Sequence, residues 1–184
     1  MGQKGFYFDM TICIGCKTCQ VACKDKNELP VEVLFRKVRT FEGGKYPKPW
    51  VYHLSMSCNH CAEPKCVKNC PTGALYKRKD GIVAHNRERC IGCQYCVWSC
   101  PYGAPNYLEE EGKSGKCDMC ADLIDKGKNP ACVDACMMRA LHFGDLEELK
   151  AKYGGTSNIK VLPDSGITKP SILINPKPIA KKGV

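Results

Sequence analysis

Sixteen cysteines stand in four groups of four: Cys13, Cys16, Cys19, Cys23; Cys58, Cys61, Cys66, Cys70; Cys90, Cys93, Cys96, Cys100; and Cys117, Cys120, Cys132, Cys136. Groups one and three read C-x2-C-x2-C-x3-C without deviation. Three thiolates at that spacing can wrap one iron–sulfur cube, and the fourth, a helical turn further on, points away toward a second cube. Sixteen cysteine ligands at four per cube predict four [4Fe-4S] clusters. A small chain carrying four clusters is most simply a wire for single electrons. No Ser/His/Asp set, phosphate loop or G-x-G-x-x-G run accompanies them, so the sequence offers no place for substrate turnover.

In a two-cluster ferredoxin module each motif gives three ligands to one cube and its last Cys to the other. Groups two and three lie close in sequence and form one such module. One cube then takes Cys58, Cys61, Cys66 and Cys100, the other Cys90, Cys93, Cys96 and Cys70. Groups one and four form the second module, with Cys13, Cys16, Cys19 and Cys136 on one cube and Cys117, Cys120, Cys132 and Cys23 on the other. The competing reading is a structural zinc-binding interaction module, since C-x2-C knuckles are common in zinc ribbons. Zinc wants two separated knuckles, and C-x2-C-x2-C-x3-C crowds three thiolates too closely for that. A disulfide framework fits neither the spacing nor an opening without a signal peptide.

Bulk properties agree with metal. Hydrophobic residues make up 43% only because cysteine is counted among them, and without the 16 Cys the core is thin for 184 residues. Metal-binding free energy is then also folding free energy. The formal charge of +9 invites a nucleic-acid partner. Four cubes with their thiolates contribute roughly −8, which leaves the loaded protein near +1 and removes that argument. The chain opens on a stretch too short and polar for a signal peptide. Met1-Gly2 with Phe6 in the sixth position is a poor acylation match. No run reaches the roughly 18 apolar residues of a membrane span.

The elements that must position these ligands are readable around them. The fold class expected is α+β: two bacterial-ferredoxin-like modules with a β-hairpin insertion. Residues 1–23 and 106–162 make the first module, 24–57 the insertion, 58–105 the second module, and 163–184 a tail lying along a partner. Phe6-Tyr7-Phe8 reads as a strand feeding group one. Val33 to Phe41 and Trp50 to Met56 read as a hairpin turning at 42–45. Residues 74–78 and 82–85 flank Lys79-Asp80-Gly81 as a second hairpin. Short helices fall at 121–126 and 130–136, and a longer one is capped by Asp145, with Glu148 in the capping-box position, and ended by Gly154-Gly155. Three phrases end a cysteine group alike: Cys70-Pro71-Thr72-Gly73-Ala74, Cys100-Pro101-Tyr102-Gly103-Ala104 and Cys136-Met137-Met138-Arg139-Ala140. His60, beside Cys61, is a candidate to hydrogen-bond a cluster. His53, His85 and His142 sit in strand-like stretches, where packing is the plainer role. Tyr95 and Trp98, between ligands, are expected to keep water from a cube.

These motifs resemble the four-cluster electron-transfer subunit of the dimethyl sulfoxide reductase family of molybdenum or tungsten enzymes. The resemblance spans nearly the whole chain. It is carried by Cys13-Ile14-Gly15-Cys16-Lys17-Thr18-Cys19, Ser57-Cys58-Asn59-His60-Cys61, Asn69-Cys70-Pro71-Thr72-Gly73-Ala74, Cys90-Ile91-Gly92-Cys93, the Cys100 phrase, Lys116-Cys117-Asp118-Met119-Cys120 and Thr168-Lys169-Pro170. It implies a non-catalytic subunit that relays electrons between a molybdopterin catalytic subunit and a quinone-reactive membrane anchor. Dimethyl sulfoxide, polysulfide and thiosulfate enzymes use such a subunit, and a soluble formate dehydrogenase is the alternative setting. The module of groups one and four would face the pterin subunit and that of groups two and three the quinone side. Location follows the partner: the outer face after co-export with a signal-bearing subunit, or the cytoplasm. Nitrate reductase relatives carry Trp where this chain has Cys93, which leaves them a three-iron cluster, so the resemblance implies four four-iron clusters here. The family's Pro after the last Cys is replaced by Met137, which predicts a different loop beside that cluster.

Overall fold

A computed structural model describes residues 2–182. Its organising strand is β1 (Lys4–Asp9), flanked by β8 (Leu141–Asp145) antiparallel on one side and β9 (Ile172–Asn175) parallel on the other. Period-two alternation gives β1 two buried faces. Phe6 and Phe8 enter the main core with Met10, Ile172 and Ile174, while Tyr7 packs under α6 (Leu146–Tyr153) with Leu149 and Leu173. The Asp145 carboxylate accepts the Glu147 N–H at 3.1 Å and starts α6, and Gly154, at φ 67°, ends it.

The tail 163–184, expected along a partner, packs in its described part on this chain itself. Strand β9 belongs to the chain's own sheet, and Ile172, Leu173, Ile174 and Ala180 are buried. The physical reason is β1 itself: with β8 on one edge only, its other edge and its apolar faces need covering. Gly183 and Val184, the last two residues of that tail, lie outside the described residues, as does Met1.

Strands β2 (Lys37–Gly43) and β3 (Trp50–Met56) form an antiparallel pair in register from Lys37 opposite Met56 to Gly43 opposite Trp50. Phe41, Tyr52 and Trp50 stack along it, with centroid separations of 5.1 and 5.7 Å. The first strand begins later than its apolar run suggests. The Val33 N–H is held in a turn by the Pro30 carbonyl, and the connection runs from Gly44 to Pro49. Residues 24–26 are not part of the hairpin region either, because α1 (Thr18–Lys26) continues through Cys23 for another turn. Its last turn carries Lys24 and Lys26, which suit the negative end of the helix dipole.

The remaining elements are short. Helices α2 (Lys65–Lys68) and α3 (Tyr95–Ser99) pack together, as do α1 and α5 (Ala131–Asp134). Between them lie α4 (Ala121–Ile124), the hairpin β4 (Leu75–Lys77) with β5 (Val83–His85), and a further hairpin, β6 (Asn106–Leu108) with β7 (Lys113–Gly115). That last hairpin is not anticipated from the sequence. Three-residue strands carry too little alternation to be seen, although Gly112, at φ 62°, marks the turn.

Candidate metal centre

Each helix of the two packed pairs holds cysteines: Cys19 and Cys23 on α1, Cys132 on α5, Cys66 on α2 and Cys96 on α3. Loops bring the rest to them. Groups one and three share one backbone path, with Gly15 and Gly92 at φ 70° and 71° and Lys17 and Gln94 at φ 62° and 60°. Glycine is needed there for space as well as conformation. A Cβ on Gly92 would lie 2.2 Å from the Gly112 carbonyl oxygen, and one on Gly15 would lie 2.5 Å from the His53 ring. Group four turns by two successive left-handed residues, Met119 and Cys120 at φ 66° and 54°. Such turns aim consecutive N–H groups at one point, the concavity that suits an anion.

The three phrases that end groups two, three and four are one turn. In each, the third residue past the cysteine is left-handed: Gly73 at φ 63°, Gly103 at 59° and Arg139 at 52°. Its N–H bonds back to the cysteine carbonyl at 3.3, 3.1 and 3.0 Å. A buried alanine follows each time, and in two cases its N–H reaches the cysteine sulfur: Ala104 to Cys100 at 3.5 Å and Ala140 to Cys136 at 3.2 Å. The expectation that Met137 changes this loop is therefore corrected. The turn survives without Pro or Gly because the following alanine and strand β8 fix its exit.

The sulfurs assemble across groups. Cys13, Cys16, Cys19 and Cys136 line one cavity with about 340 Å³ of free space. Cys58, Cys61, Cys66 and Cys100 line a second of about 360 Å³. Burial pushes the Cys23 thiol up to about 12, with Arg36 opposing the rise and Cys132 and Cys120 adding to it. Burial likewise raises Cys96, with the neighbouring Cys90 and Cys70 adding to the rise. Cys23, Cys58 and Cys117 share one core with Leu29, Phe35 and Ala104, and Cys100 packs against it. Groups two and three therefore meet groups one and four at Cys58 and Cys117. Among the sixteen, only Cys16 and Cys93 are exposed.

These sets fit a bulky anionic group. Among the described residues no three Cys, His, Asp or Glu converge closely enough for a single metal ion. Thiolates around one zinc would sit within about 4 Å of one another, because Zn–S is about 2.3 Å, whereas thiolates on the four irons of a cube each point outward from a different metal and stand farther apart. Buried polar atoms without a protein partner also gather beside the cysteines. Asn59 Nδ2, Tyr102 Oη and Thr168 Oγ1 belong to residues lining the cavity of Cys58 and Cys61. Ser114 Oγ lies close enough to Cys96 to oppose part of the rise that burial gives that thiol. Donors already in place include Thr18 to Cys16 Sγ at 3.3 Å, Met119 N–H to Cys117 Sγ at 3.3 Å and Asn27 to Cys23 Sγ at 3.8 Å. Hydrogen bonds to cluster sulfurs are one lever on potential.

His60 is wholly buried and serves the framework. Its Nδ1 accepts the Val83 N–H at 3.0 Å, and its carbonyl accepts from Ser171 Oγ at 3.0 Å and Gln3 Nε2 at 3.2 Å. Nε2 is left without a protein partner. Burial, reinforced by Lys116, Arg36 and Lys77, keeps the ring neutral by lowering its pKa. Trp98 departs from expectation: it is 72% exposed beside Tyr95 at 52%, with ring centroids 5.9 Å apart, so neither seals a cube from solvent within this chain. Sequence reasoning misses Arg36 and Lys116, which are buried among the cysteines. Cations in mixed loop sequence carry no signal of burial.

No helix among the described residues is long and apolar enough to cross a membrane. Two 4Fe-4S dicluster domain families match the chain, over residues 49–146 and 12–74. One subunit of the anaerobic dimethyl sulfoxide reductase of Haemophilus influenzae is 46% identical, covering 98% of this chain and 93% of the relative. One subunit of the sulfite dehydrogenase of Allochromatium vinosum is 36% identical over 93% and 82%. The formate dehydrogenase iron-sulfur subunit of Wolinella succinogenes is 37% identical over 78% and 82%. With two dicluster matches, 16 cysteines and relatives of this kind, the chain belongs to the iron–sulfur subunits of the dimethyl sulfoxide reductase family, an electron-transfer subunit of four [4Fe-4S] clusters.

Proposed function

We propose that the sixteen cysteines are the cluster ligands in the four sets Cys13, Cys16, Cys19, Cys136; Cys117, Cys120, Cys132, Cys23; Cys58, Cys61, Cys66, Cys100; and Cys90, Cys93, Cys96, Cys70, in that order along one wire. Each cube supplies a site for one electron between its 2+ and 1+ states. The observation that carries this order is the pattern of exposure. Cys16 and Cys93 alone are exposed, one in each outer set, while Cys23, Cys58 and Cys117 of the two inner sets share a core. The protein's part is to hold the thiolates, donate to their sulfurs and exclude water from the inner pair.

The wire joins a molybdopterin catalytic subunit, of molybdenum or tungsten, at the Cys16 end to a quinone-reactive membrane anchor at the Cys93 end. The anchor would make the complex membrane-associated. Exposed apolar residues frame both ends: Ile14, Val21, Met137 and Met138 at the first, Ile91, Tyr95 and Trp98 at the second. Residues 1–23 with 106–162 form the first ferredoxin-like module, supported by the pairing of β1 with β8 and the packing of α1 on α5. Residues 58–105 form the second, supported by α2 on α3, and the β2–β3 hairpin is inserted between them. Similarity to a formate dehydrogenase iron-sulfur subunit favours a second setting, a formate dehydrogenase complex; a soluble form of it would hand the electrons to an acceptor other than a membrane anchor. A neighbouring gene for a multi-span protein would decide for the first.

Cysteine variants read by electron paramagnetic resonance test the sets. Cys93→Ser should convert one cluster to a three-iron form and leave three intact. Cys58→Ser and Cys100→Ser should alter the same cluster, although they belong to different motifs. Two different clusters responding would overturn the crossed assignment.

A further inference from the structure

Arg36, in the segment between groups one and two, is 1% exposed and faces cysteines of groups one and four. Its Nη1 donates to Ser55 Oγ at 3.0 Å and its Nη2 to Ser57 Oγ at 2.9 Å. Ser55 Oγ in turn sits 3.4 Å from Cys19 Sγ, and Ser57 immediately precedes Cys58. The guanidinium carbon stands 4.9 Å over the Phe6 ring. Its Nε is buried with no protein partner, and no carboxylate pairs with it among the described residues. Burial works against the charge, but the surrounding Cys132, Cys19, Cys117 and Cys23 outweigh it and keep the group protonated. An unpaired buried cation is strongly destabilising unless an anion compensates it, so the cysteine sets on either side must supply that anion.

We propose that Arg36 is the fixed counter-charge of the two clusters held by groups one and four, raising the reduction potential of both. Adding an electron takes a cluster with its four thiolates from 2− to 3−, and a cation locked nearby stabilises the more negative state. A buried cation is screened little by salt, so the effect persists at high ionic strength. The serine fork fixes where the charge stands, and the Phe6 ring packs against it. A second buried cation, Lys116, stands near Cys66 of the other module, and its ammonium is taken up by the Val83 and Cys117 carbonyls. The inference rests on the ligand sets proposed above.

The test is a redox titration of the loaded, anaerobically purified subunit, followed by electron paramagnetic resonance, with iron counted per chain. Arg36→Met should lower the reduction equilibrium of two of the four clusters at least tenfold, about 59 mV for one electron, and move the other two far less. Arg36→Lys should keep both within about threefold of the unaltered protein, because the charge remains. If Arg36→Met and Arg36→Gln lose iron from those two clusters while Arg36→Lys holds all four, the counter-charge is needed for assembly, and the inference stands. Full loading with unchanged potentials in Arg36→Met would overturn it, as would an equal loss of iron or potential in Arg36→Lys. Failure of the ligand sets would appear separately, as wrong clusters responding to the cysteine variants.

Discussion

Arg139→Gly should stabilise this protein, against the direction of most substitutions. Arg139 holds φ 52° in the turn after Cys136, where Gly73 and Gly103 occupy the equivalent places after Cys70 and Cys100. A left-handed residue with a side chain costs about 1–2 kcal/mol. Glycine recovers that but loses about 0.5–1 kcal/mol more backbone entropy on folding. The bond given up, from Arg139 Nη1 to the Asp134 carbonyl, is exposed and long at 3.4 Å, so it subtracts little. The net gain is about 0.5–1 kcal/mol, which for a chain of this size raises Tm by about 1–4 °C. Cluster loss makes unfolding irreversible, so the assay is the half-life of visible absorbance at fixed temperature under anaerobic conditions. Gly103→Ala is the mirror experiment. Nothing lies within 4 Å of a Cβ there, so its cost is backbone conformation alone, about 1 kcal/mol. Gly92→Ala must cost far more, because its Cβ would meet the Gly112 carbonyl at 2.2 Å. A shortened half-life for Arg139→Gly, or equal costs at Gly92 and Gly103, would refute this account of the repeated turn.

Three further outcomes follow from the packing and the thiols. Ile174→Ala, at a wholly buried site of β9, should remove about 2–5 kcal/mol of packing and shorten the same half-life far more than Gly103→Ala does; a half-life equal to that of the unaltered protein would mean that the tail strand does not seal β1. His60→Ala should cost at least the roughly 1–3 kcal/mol of stranding the Val83 N–H, and a protected Val83 amide in hydrogen exchange of that variant would contradict it. Burial pushes the thiols of Cys23 and Cys66 up to about 12 and that of Cys61 to about 11, all above the ordinary 9.0. Iron must displace those protons, so in the window from about pH 6 to 9 loading of the cluster-free chain should become more complete as pH rises. Loading independent of pH across that range would show the thiols already ionised.

The sequence by itself determined the chemistry. Cysteine spacing is local, and a loop of two residues between thiols constrains what they can wrap whatever the rest of the chain does. Strand β1, the 75–85 hairpin and the Asp145 cap were legible for the same reason, since alternation, turn residues and caps act within a few positions. What the tertiary structure alone decided is set by contacts between distant residues. Strand β9 reads as part of a tail rich in Pro, Lys and Ile until β1 offers it an edge 166 positions away, as the bond from Asn175 to Asp9 shows. The turn at Arg139 keeps its shape without glycine because the buried Ala140 and β8 hold its exit. Arg36 looks like any surface arginine in sequence, and only the fold surrounds it with cysteines from groups one and four. A lone charge says nothing of its burial, because burial belongs to everything packed around it.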